Sequence, residues 1–178
     1  MKPSLLIASP QMHDPFFERS VVLVWHHDDE GAIGVIINRE LDHTVDQVLS
    51  HLDADRLRPY VGRRVGWGGP VEPTTGTVVT RHDLPDDQSW SVDGGITVSR
   101  SMDALNLLLE RAEPFLLCLG YAGWGPGQLD EEIRRGGWLW TDCDAGLIFD
   151  APPDERYDRA LATLGLRPHE VWMQPIDE

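Results

Sequence analysis

Four glycines and a proline fall between residues 119 and 127 of this chain, in the run LGYAGWGPGQLDEEI (residues 119–133). Glycine gives up more backbone freedom on folding than any other residue. Such density therefore signals a backbone that needs unusual dihedrals or close approach by another segment. An apolar run from Phe115 to Leu119 leads in, and a helical pattern with Leu129 and Ile133 four apart leads out. The spacing predicts a strand over residues 115–121, a glycine-rich turn, and a helix with Pro126 in its first turn that stops at Gly136-Gly137. Asp130 with Arg134, and Glu131 with Arg135, stand at i, i+4 on the outer side of that helix.

A glycine-rich turn between strand and helix is also the general form of a phosphate cradle. Here Gly120, Gly123, Gly125 and Gly127 match neither G-x-G-x-x-G nor the Walker spacing, and no Lys-Ser/Thr follows. Asp130, Glu131 and Glu132 already complement the positive end of the helix and repel an incoming anion. Three uses stay open, in this order: a turn that lets backbone and Trp124 pack closely, a partner surface built on Tyr121 and Trp124, and an anion or nucleotide site.

Elsewhere the chain alternates short strands and helices. Apolar or β-branched runs predict strands over residues 4–9, 20–25, 31–38, 77–80, 96–98, 138–140 and 147–149. Those at 20–25 and 31–38 form a hairpin whose polar tip is His26 to Gly31. Residues 12–18 read as an irregular connection, since Pro15 disfavours helix at Asp14. Val45, Val48, Leu49 and Leu52 share one helical face, and Thr44 with Gln47 three residues later marks the helix start. Ser101 caps a second helix with Met102, Leu105, Leu108 and Leu109 on one face. A last helix over residues 154–164 buries Tyr157, Ala160, Leu161 and Leu164, with Gly165 as its C-terminal cap. A polar loop is expected at 83–88. Without strict βαβ alternation, an internal repeat or a linker, the expectation is a single α+β domain over residues 1–178.

Composition bounds the function. With 41% hydrophobic and 25% charged residues the chain is ordinary for a globular protein. Its formal net charge of -15 opposes phosphate backbones, and Arg63-Arg64 and Arg134-Arg135 are only pairs, read as solvated surface. Lys2 is the one lysine, so nearly every cation is arginine. No signal-peptide pattern and no apolar run of membrane-spanning length is present, so a soluble, cytoplasmic protein is expected. Cys118 reads as a small buried hydrophobe, and two cysteines make no disulfide framework.

Chemistry has little local support. His26-His27-Asp28-Asp29-Glu30 holds metal-ligand atom types, but adjacent strand residues point to opposite faces, so a solvated hairpin tip is expected. There is no G-x-S-x-G elbow, and Cys118 has no neighbouring histidine in sequence. No catalytic, cofactor-binding or metal residues are assigned, and no cofactor is expected. Most of the seven tryptophans are expected in the core.

Four segments together resemble the bacterial AlgH/YqgE family: DPFFERSVVLVWHHDDEGAIGVIINRE (14–40), GGPVEPTTGTVV (68–79), LGYAGWGPGQLDEEI (119–133) and GLIFDAPPDERYDRALATLGLRP (146–168). The resemblance implies an α+β fold with a twisted, mixed or antiparallel, partly barrel-like sheet flanked by helices. Departures lie at Thr75, where an arginine is common in that family, at Thr80, where a histidine is frequent, and at Gly136-Gly137, where an asparagine commonly precedes the tryptophan. The family is largely uncharacterised in activity. One branch is named as a transcriptional regulator of alginate synthesis, but no helix-turn-helix and a charge of -15 leave no expectation of direct nucleic-acid contact here.

The leading expectation is a non-enzymatic regulatory or interaction module with an unknown protein partner or small molecule, away from membranes. The alternative is an enzyme or small-ligand binder with a pocket near the glycine-rich turn, where Arg19, Asn38 and Arg39 meet Tyr121, Trp124 and Gln128.

Overall fold

The computed structural model describes residues 4–84 and 88–166. Among these residues ten strands form one connected, mixed but mainly antiparallel sheet: β1 (Leu5–Ala8), β2 (Val21–Asp28), β3 (Gly31–Ile36), β4 (Glu40–Thr44), β5 (Arg64–Trp67), β6 (Val71–Thr80), β7 (Ser89–Val92), β8 (Ile96–Ser99), β9 (Leu116–Trp124) and β10 (Trp138–Thr141). The order is β10-β1-β2-β3-β9-β6-β8-β7, with β5 pairing in parallel with β9 and carrying β4 on its other side. The sheet does not close, but it curls. Trp90 of β7 lies 5.7 Å from Trp25 of β2 between ring centroids. The α-helices are α1 (Val45–Val48), α2 (Ala54–Leu57), α3 (Met102–Arg111), α4 (Gln128–Arg134) and α5 (Arg156–Thr163).

Side-chain alternation sends the sheet's apolar residues into two clusters on opposite faces. Val79 and Ile96 join β1, β2, β3 and the buried stripe of α5 (Tyr157, Ala160, Leu161), whereas Val78 and Leu117 join α3 and Tyr60. The Tyr157 hydroxyl donates to the Ala8 carbonyl at 2.7 Å, and the Tyr60 hydroxyl to that of Glu113 at 2.7 Å. The first fastens α5 to β1, the second ties the turn at Tyr60 to the connection between α3 and β9, and neither buried phenol is left unpaired.

The glycine-rich run is mainly strand. β9 continues three residues past the expected end, and Gly120 sits inside it at φ +78. That residue marks a change of partner. Before it Cys118 and Leu119 pair with β5, and after it Ala122 to Trp124 pair with β3, while β6 pairs on both sides, with Leu116 to Leu119 and with Tyr121. At the change, Gly68-Gly69 of the second motif presses directly onto the backbone. A Cβ on Gly120 would stand 2.2 Å from the Gly69 oxygen, and one on Gly68 2.3 Å from the Gly120 oxygen. Two separate motifs are thus the two sides of one backbone contact that only glycine permits. Only Gly125 to Gly127 form the turn. Pro126 precedes the N-cap, Gly127, rather than lying in the helix, and the Gly125 N–H is taken up by Gln128 Oε1 at 3.0 Å.

Other expectations need correction. Residues 147–149 belong to a π-helical turn (Gly146–Asp150), because a short apolar run carries no period that separates strand from helix. The helix after Thr44 stops after one turn. Gln47 does close the capping contact, accepting from the Thr44 N–H at 3.0 Å. Met102 is 50% exposed, and α3 buries Ala104 instead, beside Leu105, Leu108 and Leu109; Leu164 is likewise 37% exposed. Strands β4, β5, β7 and the start of β6 are not among the expected strands. β4 reads ELDHT and is mostly exposed, and Pro73 in β6 falls where the ladder with β9 skips from Val71 to Gly76. Asp130 pairs with His27 (3.2 Å) instead of Arg134, whereas Glu131 does meet Arg135 (2.8 Å). The loop expected at 83–88 and Trp172 lie wholly or partly outside the described residues.

Candidate functional site

The six residues named from sequence divide into three places. Arg19, Asn38 and Arg39 gather on the 14–19 segment. Asn38 Oδ1 accepts from the Val21 N–H at 2.8 Å, and its Nδ2 donates to the Arg19 carbonyl at 2.8 Å. Arg39 donates to the carbonyls of Phe16 and Glu18 and lies 5.4 Å over the Trp67 ring. Arg19 lies 4.6 Å over Tyr157. The first motif is therefore one unit: its end, Asn-Arg, ties down the carbonyls of its beginning.

Trp124 and Gln128 meet a second centre, Glu132. Its Oε1 accepts from the indole N–H groups of Trp124 (3.1 Å) and Trp138 (3.0 Å), and its Oε2 from Gln128 Nε2 (2.9 Å). Phe17 packs against both indoles, with centroids 6.2 and 5.7 Å away. This carboxylate takes three donors, which makes it a fastener between β9, α4 and β10. A cleft of about 370 Å³ opens beside it, lined by Trp124, Gln128 and Glu132. Tyr121 stands apart from both groups, beneath the Arg100 guanidinium at 4.7 Å.

The cavity with the most distinctive chemistry lies where β5 and β9 run parallel. Gly66 and Cys118 are register partners there, and the absent side chain of Gly66 leaves open a space of about 240 Å³. A Cβ on Gly66 would lie 3.2 Å from Cys118 Sγ. Apolar walls come from Val45, Phe115 and Leu117, and the charged lining is Arg39, Arg63, Arg64 and Arg156 with a single carboxylate, Glu40.

Arg156 is the exceptional member. It is 6% exposed, and it donates through Nε to the Ala151 carbonyl (3.1 Å) and through Nη1 to that of Ile37. Burial lowers its pKa from the ordinary guanidinium value, yet a guanidinium remains protonated at any physiological pH. Sequence reasoning did not single it out. The signal was available: residue 156 precedes Ala160 by four and Tyr157 by one, which puts a charge on the buried stripe of α5. Arg63 and Arg64, read as solvated surface, are exposed but flank this cavity.

Cys118 is buried, and burial pushes its thiol up to about 12. At neutral pH it is protonated and a poor nucleophile. Burial also raises Cys143 to about 11 and Tyr157 to about 12. The ordinary values are 9.0, 9.0 and 10.0. Each folded value exceeds its unfolded counterpart, so the native state holds these protons where the unfolded chain releases them. The stability they contribute is complete below pH ~9 and drains away between pH ~9 and ~12. The melting temperature is expected to be level from neutral pH to ~9 and to fall steadily above it. A thiol reagent should label Cys118 only on unfolding. Rapid labelling of Cys118 itself in the native protein at pH 8 would contradict this burial, whereas labelling at the half-buried Cys143 would not.

At the hairpin, His26 contacts Asp28 at 2.8 Å and His27 contacts Asp130 at 3.2 Å, on opposite faces as the alternation requires. Among the described residues no three metal-ligating side chains come together. Among them, too, no helix is long and apolar enough to cross a membrane.

The sequence pattern of the AlgH-like family matches residues 5–169. The chain belongs to the AlgH-like family. Its relatives include proteins named UPF0301 protein. One, from Delftia acidovorans, is 41% identical over 182 residues and covers 94% of this chain and 89% of its own length. Another, from Paraburkholderia phytofirmans, is 40% identical over 168 residues, covering 90% and 86%. Among solved structures, the solution structure of AlgH from Pseudomonas aeruginosa superposes with a TM-score of 0.77 at 32% identity, covering 99% of this chain and 95% of that one. A crystal structure of a protein from Corynebacterium diphtheriae has a TM-score of 0.74 at 22% identity, covering 92% and 87%, a likeness of fold. The AlgH-like motifs thus mark the backbone contact at Gly68, Gly69 and Gly120, the Asn38-Arg39 tie and the Glu132 fastener.

Proposed function

We propose that this AlgH-like protein is a non-enzymatic regulatory module that binds a small molecule in the cavity between β5, β9 and the start of α5. The observation that carries this reading is the double role of Arg39, which lines the cavity and holds the carbonyls of Phe16 and Glu18. Phe16 is 50% exposed and stacks on Trp67, with centroids 6.1 Å apart. A ligand that draws on the Arg39 guanidinium competes with those carbonyls and so alters the surface around Phe16, where a protein partner reads the change. Binding energy spent differently in two states is what a regulatory device requires. The cavity chemistry favours binding over catalysis. Guanidiniums do not exchange protons near neutral pH, and the Cys118 thiol is not ionised there.

Amide exchange over residues 14–20, measured with and without a mixture of neutral and charged metabolites, tests the reading. Ligand is expected to change exchange in that segment and to raise the melting temperature. In Gly66→Ala, whose methyl group enters the cavity, both effects should weaken at least about tenfold in ligand concentration. Turnover of a component of the mixture, or stabilisation that Gly66→Ala leaves intact, would overturn it.

A further inference from the structure

The geometry points to a small, multiply charged oxyanion, a phosphate or a carboxylate, as the occupant of the cavity; this inference rests on the reading of the cavity as a ligand site. Four guanidiniums against one carboxylate, Glu40, is a local excess of positive charge in a chain whose net charge is -15. Beyond about 8 Å the surrounding acidic surface is screened at physiological salt, so the lining dominates the potential an occupant feels.

The four arginines are not equally engaged. Arg64 lies 2.7 Å from Asp42 and 3.9 Å from Glu40. Among the described residues no carboxylate lies within 4.0 Å of the guanidiniums of Arg39, Arg63 or Arg156. A buried charge is ordinarily paired with an opposite one, because desolvation is repaid only by a close partner. Arg156 has two carbonyls and, with Glu40 acting on it only from beyond 4.0 Å, no carboxylate in contact; its Nη2 has no hydrogen-bond partner among the described residues. This buried cation lines an open space with donor capacity unspent.

An oxyanion supplies the missing partner, and the planar guanidinium fork suits carboxylate and phosphate geometry. Arg156 anchors the anion from inside, and Arg63 and Arg64 close over it from the rim. At about 240 Å³ the space lies below the usual range for drug-sized ligands, which favours a small metabolite over a nucleotide. The binding place lies beside Cys118 and away from the glycine-rich turn, where Asp130, Glu131 and Glu132 cluster.

The test is a titration of the full chain with inorganic phosphate, glycerol phosphate and malonate, with ionic strength held constant by sodium chloride. Melting temperature and isothermal heat are followed. At least one oxyanion should raise the melting temperature by about 5–10 °C at a hundredfold excess over its Kd, with chloride alone giving no such rise. Which of the three acts identifies a free phosphate, a phosphomonoester or a carboxylate. The double variant Arg63→Ala/Arg64→Ala, altered only at exposed positions, should bind at least tenfold more weakly. Arg156→Lys, which keeps the charge but loses the fork, should also bind more weakly, read by heat in case its own stability drops. Equal response to chloride and oxyanions, or undiminished binding in the double variant, overturns the inference. If a neutral metabolite binds in wild type but not in Gly66→Ala while all three anions fail, the ligand cavity stands and its anionic specificity falls. If nothing binds, both fall.

Discussion

Gly120→Ala is expected to destabilise the protein by about 3 kcal/mol or more, read as a lower denaturant midpoint. Two costs add at this position. The residue holds φ at +78, where an L side chain is strained, and its new Cβ would sit 2.2 Å from the Gly69 carbonyl oxygen. That oxygen belongs to the main chain and cannot swing away as a side chain would. Relief requires β9 to separate from the 68–69 segment, which breaks the bond from the Gly68 N–H to the Leu119 carbonyl (2.7 Å). Gly127→Ala is the control. It has a similar φ of +70 but nothing within 4 Å of its Cβ, so it should cost only the backbone strain, about 1 kcal/mol. Equal losses in the two variants would show that close approach at Gly120 contributes nothing.

Glu132→Ala is expected to cost about 2–4 kcal/mol, because one truncation strands two donors. Trp124 and Trp138 are 7% and 2% exposed, so their indole N–H groups have little access to replacement water. Glu132→Gln keeps an acceptor oxygen for both and should recover at least half of that loss. Tryptophan emission offers a second reading: it should shift in the alanine variant and stay close to wild type in the glutamine variant. A Glu132→Ala protein as stable as wild type would demote the carboxylate to a bystander.

Legibility in the sequence followed the physics of each element. The hairpin of β2 and β3, the capped start of α3 and the buried stripe of α5 were readable, because periodicity and caps are local signals. β4 and β5 were not. They are short, and β5 exists as a strand by virtue of lying between β4 and β9, whose pairing residues stand at least twenty and more than fifty positions away, beyond any local window. The glycine-rich run was recognised as a site of close approach, but its conformation was misassigned, since the partner that demands glycine, Gly68-Gly69, is distant in the chain. Of the candidate site, Arg39 was named from sequence. Arg156 was passed over, because a charge in a helix is ordinarily solvated and only burial makes it exceptional.

By itself, the amino-acid order determined the family, the class of fold and the places where side chains must be absent, since composition, period and glycine placement are properties of the chain. Tertiary structure alone decided which glycines touch, that Glu132 serves two indoles, and that four arginines from three regions surround one small space. Those facts depend on distances across the fold, and a distance in space is set by how the sheet curls, which local sequence does not encode.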